Sequence, residues 1–560
     1  MGGALSSSLQ KLSLPKVASG NVAENIQIEP PFPTAGIRVS HINEFLTKCG
    51  GRDVLEGLST TDVCNKFIIS STLEMKTSYC EMISSANEGN TLQATVFISH
   101  PWELKFLDVI DAIINYFKLS PDTIIWMDIF SRNQHTVASE NSIWYSSSFK
   151  HTFDSTFKEC LLIFNSVSSK PVILGRTWCL WELFCAASTP SSSCSLNILM
   201  TTSNQNKLID IFKTDLDDWN QMLNSINIEL SDSSKSVDKL ELLNSICSYG
   251  GVTGVNTICT QALYRWCLAI IEKELNLVKE REKDMKKDNE KEKEKESTTG
   301  CDTGNTALPS ASSPSISRSS DTIESRLQLS LSYGRLLTLL GRHKQAETVL
   351  VELFNERRER EKDLMDIRTL DCMHYLAEVY GTSGQLDKLE TVSKQCLVKK
   401  RVLLGDSHLS TLSTMALVAQ MLEGKRKFKD AESLYSECLE RQREMLGDSH
   451  VETLRSMNNL ATTYHVQGKY EKAESLYRTC LEREREKLGE AHEDTLRSMS
   501  NLAGVLVDQE KYAEAESLYR VCYESEKERV GENHPSTFKL KTQLIQVYNK
   551  QEKFDEANKL

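Results

Sequence analysis

The sequence lacks any run of about 18 or more apolar residues, the length that a helix needs to cross a membrane. It also lacks the apolar segment after Met1 that is typical of secretory signal peptides. The formal net charge is −12, whereas nucleic-acid-binding proteins normally carry a basic patch or stripe. These absences predict a cytoplasmic protein that spans no membrane and binds no nucleic acid.

Two kinds of ligand motif are missing as well. No G-x-x-x-x-G-K-[ST] segment is present, which excludes a nucleotide-driven switch of the phosphate-loop type. The 16 cysteines include no C-x-x-C pair, a spacing typical of zinc sites. We therefore predict no metal site and no required cofactor. At 560 residues the chain exceeds what one hydrophobic core usually supports, which predicts two or more structural units.

The feature that the sequence does contain is a repeat between residues 404 and 538. A motif close to L-G-D-S-H recurs every 42 residues and ends at His408, His450, His492 and His534. A second motif, A-E-S-L-Y, has the same period and begins at Ala431, Ala473 and Ala515. Periods of about 20 to 50 residues are typical of solenoids, whose units bury their apolar faces only by stacking on one another. We therefore predict an all-α solenoid that binds a partner.

Several residue types recur at fixed positions of the unit. One small-residue column is Ala346, Leu389, Ala431, Ala473, Ala515 and Ala557, which gives six units, and the other is Gly334, Ala377, Ala419, Ala461, Ala503 and Ile545. The same step relates Cys396, Cys438, Cys480 and Cys522, and also Met373, Met415, Met457 and Met499. We interpret the cysteine and methionine columns as helix packing, and the histidine column as a marker of helix starts, rather than as disulfides or ligands.

The 42-residue unit, the H-P-x-T segment from His534 to Thr537 and the run NLATTYHVQGKYEKAESLY resemble the tetratricopeptide (TPR) repeats of kinesin light chains. This resemblance covers residues 325–560. It implies a TPR superhelix in which the first helix of each unit lines a concave, peptide-binding surface. The heptad segment through which kinesin light chains join their heavy chain is absent, so a role as cargo adaptor is a second alternative only.

Basic residues are in register on the helix that this resemblance places at the concave surface. They are Arg455, Arg497 and Lys539, and beside them lie Asn458, Asn459, Ser500 and Asn501. Because guanidinium groups bind carboxylates and amides bind an extended backbone, these seven residues predict a protein or peptide ligand. The alternative is that the arginines form ordinary surface ion pairs with Glu452 and Asp494.

Residues 94–200 differ in character, since short β-rich runs alternate there with helical patterns. The runs are TVFIS from Thr95, TIIWMDIF from Thr123, CLLIF from Cys160 and LNILM from Leu196. Strands that alternate with helices form a parallel sheet covered on both faces, and ligands bind beyond the carboxyl ends of its strands. Polar candidates at those ends are Ser99, His100, Trp102 and Asp128.

The segments VFISHPWE, IIWMDIF, CLLIFN and RTWCLWEL resemble TIR domains, and the last is similar to an element of the plant members. The resemblance implies an α/β fold with a flavodoxin-like parallel sheet, and it implies self-association of TIR-like domains. Catalytically competent TIR domains cleave the bond between nicotinamide and ribose in NAD, which makes NAD a candidate substrate.

The resemblance places the catalytic glutamate at Glu182, where a fixed carboxylate would stabilise positive charge on the ribosyl carbon. Ser99, His100, Trp102 and Asp128 would bind the substrate, and Trp178 and Trp181 would supply apolar walls. The alternative is a scaffold without turnover, in which Glu182 faces solvent on its helix.

Composition divides the chain into four segments. Residues 1–36 predict a flexible arm, residues 37–278 a TIR-like α/β domain with flanking helices, residues 279–324 a charged and Ser/Thr-rich disordered linker, and residues 325–560 six TPR-type hairpins. The first residues, MGGALS, fit the acceptor pattern for N-myristoylation at Gly2. One myristoyl chain would give only weak, peripheral membrane binding.

These observations predict an intracellular signalling or scaffold protein. Its solenoid would bind a protein or peptide partner, and its TIR-like domain would be the effector. The alternative is an NAD glycohydrolase that acts through Glu182 and is regulated or localised by its repeats.

Overall fold

The computed structural model describes residues 33–560 with several gaps. The gaps are residues 87–91, 137–142, 165–170, 190–193, 215, 225, 230, 233–238, 240–241, 244–245, 247–250, 299–313, 361–365, 491 and 531–534. The chain forms an α/β domain followed by a solenoid of paired helices. Within the described ranges, no helix is both long and apolar enough to cross a membrane. Gly2 and residues 1–32 of the predicted arm lie outside these ranges.

Five strands form one mixed sheet. They are β1 (Ile37–Arg38), β2 (Val96–Ser99), β3 (Ile124–Trp126), β4 (Glu159–Ile163) and β5 (Ser195–Leu199), in the order β1-β3-β2-β4-β5. The pairs β2–β3, β2–β4 and β4–β5 are parallel, as predicted, and this part follows the flavodoxin-like order. The antiparallel edge strand β1 was not predicted. Because β3 and β4 lie on opposite sides of β2, a crevice is expected beyond the end of β2.

Eleven helices of the described residues surround this sheet. They are α1 (Val39–Lys48), α2 (Arg52–Leu55), α3 (Thr60–Val63), α4 (Ile69–Ser71), α5 (Tyr79–Ala86), α6 (Phe106–Tyr116), α7 (Asp128–Ser131), α8 (Ile143–Thr156), α9 (Thr177–Ser188), α10 (Thr202–Thr214) and α11 (Asp217–Asn224), with a π-helical turn at Cys64–Ile68 and a 3-10 turn at Val172–Gly175. Side chains of β2 alternate between the two faces. Phe97 stacks on Trp126 and contacts Phe153 of α8, whereas Ile98 belongs to the cluster that contains α1 and α6.

The predicted disordered linker, residues 279–324, is mostly helical in the structure. A single 48-residue helix, α12 (Gly251–Thr298), includes the charged run, and the next helix begins at Pro314. The first part of α12 is fixed by burial of Val255, Cys259 and Leu263. Once that part is helical, extension avoids the cost of nucleation, and Glu and Lys are good helix formers. The like-charge pairs within the run are too weak to end the helix.

In the described residues from Pro314 onward, the helices of the solenoid form six hairpins. Their helices are α13 (Pro314–Leu339), α14 (His343–Arg360), α15 (Ile367–Thr382), α16 (Leu386–Leu404), α17 (Leu409–Gly424), α18 (Phe428–Leu446), α19 (Val451–Val466), α20 (Tyr470–Leu488), α21 (Glu493–Asp508), α22 (Tyr512–Val530), α23 (Pro535–Lys550) and α24 (Phe554–Lys559). We call the first helix of each hairpin helix A and the second helix B.

The repeated small residues and cysteines of the first five units are buried, and so are the four methionines of the methionine column. A Cβ atom on Gly334 would lie 2.7 Å from Cδ2 of Leu350, which shows how closely α13 and α14 approach. The Sγ atom of each column cysteine lies near a carbonyl of helix A, from Cys396 to Leu370, Cys438 to Leu412, Cys480 to Leu454 and Cys522 to Leu496, at 3.3 to 3.6 Å. The cysteines therefore join the two helices of a hairpin, in agreement with the packing interpretation.

The histidine column marks helix starts, as predicted. His408, His450 and His492 precede helices A, and the Nδ1 atom of each accepts a hydrogen bond from the backbone N–H two residues later, at 3.1 to 3.2 Å. Each ring thus satisfies one of the N–H groups that a helix leaves unpaired at its start. His534 lies outside the described residues.

The α/β domain contacts the first hairpin of the solenoid. Ser332 of α13 is buried, and its hydroxyl donates to the carbonyl of Phe212 in α10 at 2.6 Å. Arg335 forms an ion pair with Asp217 of α11, and its guanidinium lies 4.2 Å from the ring centre of Tyr375 on α15. The two halves therefore share an interface in addition to their covalent connection.

Arg335→Ala is expected to loosen this interface. It removes the ion pair with Asp217 and the cation above Tyr375, so backbone amides of α10 and α11 should exchange hydrogen with solvent about tenfold faster. Hydrogen–deuterium exchange with mass spectrometry measures this change. Arg342→Ala, an exposed position after the same helix, is the control and should leave exchange unchanged. Equal exchange in both variants would contradict a holding role for Arg335.

Candidate functional sites

The first candidate site lies where two elements meet at the carboxyl edge of the sheet. Ser99 is the last residue of the central strand β2, and Glu182 lies on α9, which follows β4. The Ser99 hydroxyl donates to Glu182 Oε2 at 2.6 Å. The structure thus brings Ser99 and Glu182, which are 83 residues apart in sequence, into direct contact at the predicted edge.

Burial raises the pKa of the Glu182 carboxyl to about 8. The hydrogen bond from Ser99 stabilises the ionised form and acts in the opposite direction, while the negative charge of Asp128 raises this pKa further. Part of the Glu182 side chain remains exposed, so it does not belong to the sealed core. Carboxyl groups with strongly perturbed pKa values are common at functional sites.

Asp128 and Trp102 connect the ends of two neighbouring strands. Trp102 follows β2, and its Nε1–H donates to Oδ2 of Asp128, the first residue of α7 after β3. The other carboxylate oxygen, Oδ1, accepts from the backbone N–H of Ile129 at 2.9 Å. The carboxylate of Asp128 is therefore fixed in place, and Trp102 forms one wall of the site.

His100 lies directly after Ser99 and is buried. Its Nε2 atom has no hydrogen-bond partner among the described residues. Burial lowers the pKa of His100, so the ring is neutral near pH 7. A buried ring nitrogen without a partner is costly in a purely structural role, which keeps His100 in the candidate set.

The two tryptophans predicted as walls of the site differ in burial. Trp178 in the first turn of α9 is partly exposed, whereas Trp181 is fully buried and stacks on Phe184 at 5.2 Å. The prediction for Trp181 was wrong because α9 is buried on several sides, so that most of its helical faces contact core. Cys179 and Cys185 are likewise buried core residues.

Sequence reasoning missed the residue before α9. The guanidinium of Arg176 forms an ion pair with Glu103 at 3.0 Å, and this pair joins the loop after β2 to the start of α9. The signal that could have identified it is the Arg at the head of the RTWCLWEL segment. The backbone around it is anchored elsewhere, since Thr177 N–H donates to the Asp232 carbonyl at 3.0 Å and Asp232 N–H donates to the Gly175 carbonyl at 2.6 Å.

The second candidate site is a stripe along helices A of the solenoid. Arg455, Arg497 and Lys539 occupy the same position of three successive units and are all exposed. Asn459, Ser500 and Asn501 are partly exposed beside them. Arg455 pairs with Glu452 at 2.9 Å, and Arg497 pairs with Asp494 at 2.5 Å. Both the proposed stripe and the alternative surface ion pairs are therefore present.

Asn458 does not belong to the exposed stripe. Its side chain is buried, its Nδ2 donates to Ser498 Oγ, and its Oδ1 accepts from Asn501 Nδ2 at 3.0 Å. Asn458 was predicted to bind the ligand, but its amide joins α19 to α21 and its side chain is buried between these helices. Asn459, the next residue in sequence, points about 100° away around the helix and keeps its exposure.

The described residues contain no group of three or more His, Cys, Asp or Glu side chains arranged to hold a metal ion. Pairs of cysteines in disulfides are also not found in the described ranges, where the cysteines are free and buried.

Comparisons with known proteins bear on the solenoid. The family model described as tetratricopeptide repeat matches residues 411–486 and 452–528, which lie in α17 to α22. These hairpins are TPR repeats, and a TPR solenoid fits a protein-binding role. The comparison with curated proteins found no match.

Several solved structures resemble part of the chain. A Podosopora anserina protein of nearly identical TPR-like repeats, named for kinesin light chain, is 21% identical, and the match covers 36% of this chain and 95% of that one with a TM-score of 0.33. BtubC (BKLC) from P. vanneervenii is 19% identical over 39% of this chain and 87% of its own, with a TM-score of 0.34. NprR in complex with its cognate peptide NprX is 16% identical over 61% and 82%, with a TM-score of 0.31.

Proposed function

We propose that the solenoid binds an acidic protein segment along the stripe formed by Arg455, Asn459, Arg497, Asn501 and Lys539. The observation that carries this proposal is the exposure of three cations at one position of successive units. Positions 455 and 459 are four residues apart and lie on one face of α19, as do 497 and 501 on α21. An extended segment that crosses the units would have the row of cations on one side and the amides of Asn459 and Asn501 on the other, which suits its carboxylates and its backbone.

The ion pairs along the stripe do not prevent this binding. Both arginine side chains are more than half exposed, at 59% for Arg455 and 52% for Arg497. Exposed pairs of this kind contribute only about 0.2 to 1 kcal/mol. A carboxylate of the partner can therefore replace Glu452 or Asp494 at little cost.

Reversal of charge at two units should weaken this binding. We expect Arg455→Glu combined with Arg497→Glu to weaken binding of an acidic peptide, selected on the full chain from a displayed random library, by at least tenfold. Calorimetric titration measures the change. The reason is that each of the two substitutions replaces a charge-assisted hydrogen bond to a peptide carboxylate by repulsion between two carboxylates.

Arg478→Glu is the matched control, because Arg478 is also exposed but lies on helix B, away from the stripe. It should bind the same peptide with unchanged affinity. Equal losses in the control and in the double variant, or no loss in either, would contradict the stripe as the binding surface.

A second function is favoured by the environment of Glu182. A carboxyl with a pKa raised to about 8, in contact with Ser99 and beside Asp128, suits cleavage of the glycosidic bond of NAD. In this reaction the bond between nicotinamide and ribose breaks, nicotinamide leaves with the bonding electrons, and water adds to the ribosyl carbon with loss of a proton. Ionised Glu182 would stabilise the positive charge that develops on that carbon.

The residues around Glu182 have distinct roles in this proposal. Asp128, held by Trp102, adds negative charge for the cationic nicotinamide ring, and Trp178 and Trp102 supply apolar surfaces for it. Incubation of the purified protein with NAD and chromatography of the products tests the activity. Formation of nicotinamide and ADP-ribose in equal amounts is the expected result, and intact NAD would contradict it. Self-association of the α/β domain, as the TIR resemblance implies, stays a prediction.

A further inference from the structure

The charged groups around Glu182 are mostly negative. Two contacts join the same two segments of the chain. Ser99 of β2 donates to Glu182 of α9 at 2.6 Å, and Glu103, four residues after Ser99, pairs with Arg176, the residue before α9, at 3.0 Å. Trp102 of the same loop donates to Asp128, so Glu182, Glu103, Arg176 and Asp128 all lie at this edge of the sheet. Three of these four groups are carboxyl groups, and Arg176 is a cation in direct contact with one of them.

This excess of negative charge is unfavourable for the phosphate groups of a nucleotide substrate. The nicotinamide ring of NAD is cationic and suits the carboxylates, whereas the diphosphate carries about two negative charges that the same carboxylates repel. A site that takes NAD thus needs a cation for the diphosphate. Arg176 is a suitable cation for this purpose, since a planar guanidinium can donate two hydrogen bonds to phosphate oxygens.

Arg176 is also placed to exchange partners. Its side chain is 28% exposed and that of Glu103 is 48% exposed, so solvent reaches the ion pair between them. An exposed pair of this kind is weak, which makes its replacement by a phosphate cheap. The backbone of Arg176 forms a parallel bridge with Asp232 and does not depend on the pair with Glu103.

We propose that Arg176 binds the phosphate groups of the substrate and that Glu103 occupies its guanidinium until the substrate arrives. This inference rests on the proposed cleavage of NAD. It assigns phosphate binding to Arg176, charge stabilisation to Glu182, and a competing carboxylate to Glu103.

The test compares two substrates that share the scissile bond and differ in phosphate. Arg176→Gln should raise the KM for NAD about tenfold or more and leave the KM for nicotinamide riboside within about twofold, because the riboside has no phosphate. Glu103→Gln should lower the KM for NAD, since it frees Arg176. Arg176→Lys keeps the positive charge and should restore most of the lost affinity. Equal changes for both substrates in Arg176→Gln would overturn the proposal.

A binding measurement separates this proposal from the proposed catalysis. Calorimetric titration of the full chain with ADP-ribose, which has the diphosphate but no nicotinamide, should show binding that Arg176→Gln weakens about tenfold. If the protein binds ADP-ribose in this manner but leaves NAD intact, catalysis is refuted and the phosphate site is supported. If NAD is cleaved while Arg176→Gln binds ADP-ribose as tightly as the wild type, the phosphate site is refuted and catalysis stands.

Discussion

Glu182→Gln is expected to reduce the release of nicotinamide from NAD at least 100-fold. The amide keeps the shape of the side chain and can still accept the hydrogen bond from Ser99, but it carries no charge to stabilise the developing cation. Removal of one electrostatic stabiliser of a transition state typically costs about 100- to 1,000-fold in rate. Nicotinamide formation at saturating NAD measures the effect.

The pH dependence of the wild type provides a second expectation for the same residue. The pKa of Glu182 is raised to about 8, so the carboxyl is largely protonated and neutral below that pH. Because only the ionised form stabilises positive charge, kcat/KM should rise about tenfold per pH unit between pH 5 and 7 and level off above pH 8. A profile that falls with rising pH over this range would contradict the role of Glu182 as a carboxylate.

Glu159→Gln is the control for both measurements. Glu159 begins β4, at the opposite edge of the sheet, where it bonds to Asn197 and Tyr116. Its replacement should leave nicotinamide release within about twofold of the wild type. If both variants lose activity equally, loss of folding rather than loss of a catalytic group is the cause.

Ala461→Leu is expected to destabilise the solenoid by about 1 to 3 kcal/mol. Ala461 lies on α19 with no exposed surface and belongs to the cluster that contains Ala473 of α20 and Met499 of α21. A larger side chain at this position forces helices A and B apart, and the strain is passed to the next hairpin because stability in a solenoid depends on contacts between neighbours. Urea unfolding followed by circular dichroism measures the loss as a lower midpoint.

Val466→Leu is the matched control for this change. Val466 ends the same helix and is 55% exposed, so a larger side chain meets solvent rather than a neighbouring helix. Its effect should stay within about 0.5 kcal/mol. An unchanged midpoint in Ala461→Leu would mean that the small-residue column does not set the distance between the helices.

The solenoid was predictable to the level of single positions because its order is local. Each hairpin repeats the same contacts every 42 residues, so a column in the sequence reports one environment several times, as the Cys480 and Ala461 positions show. The repeated positions do not show which side of a helix each residue faces. Asn458 and Asn459 are adjacent in sequence, yet Asn459 is partly exposed and Asn458 is buried, because the neighbouring helix α21 covers Asn458.

The α/β site was predictable in part. The ends of the strands correctly indicated that Ser99, Trp102 and Asp128 lie near one edge, since parallel strands present their carboxyl ends together. The contact of Ser99 with Glu182 and the pairing of Arg176 with Glu103 depend on how α9 lies across the sheet. No sequence spacing encodes that placement.

The sequence by itself determined the four parallel strands β2 to β5, the hairpins and the repeat step, because hydrophobic period and repeat step are local properties of the chain. The prediction of disorder for residues 279–298 was wrong. Their high charge predicts a solvated segment, but they continue a helix whose first part, from Gly251, is held by buried residues. The tertiary structure alone decided the pKa of Glu182, the burial of Trp181 and the contact of Ser332 with Phe212. Each of these depends on atoms distant in sequence, whose approach is settled only when the sheet, α9 and the solenoid pack together.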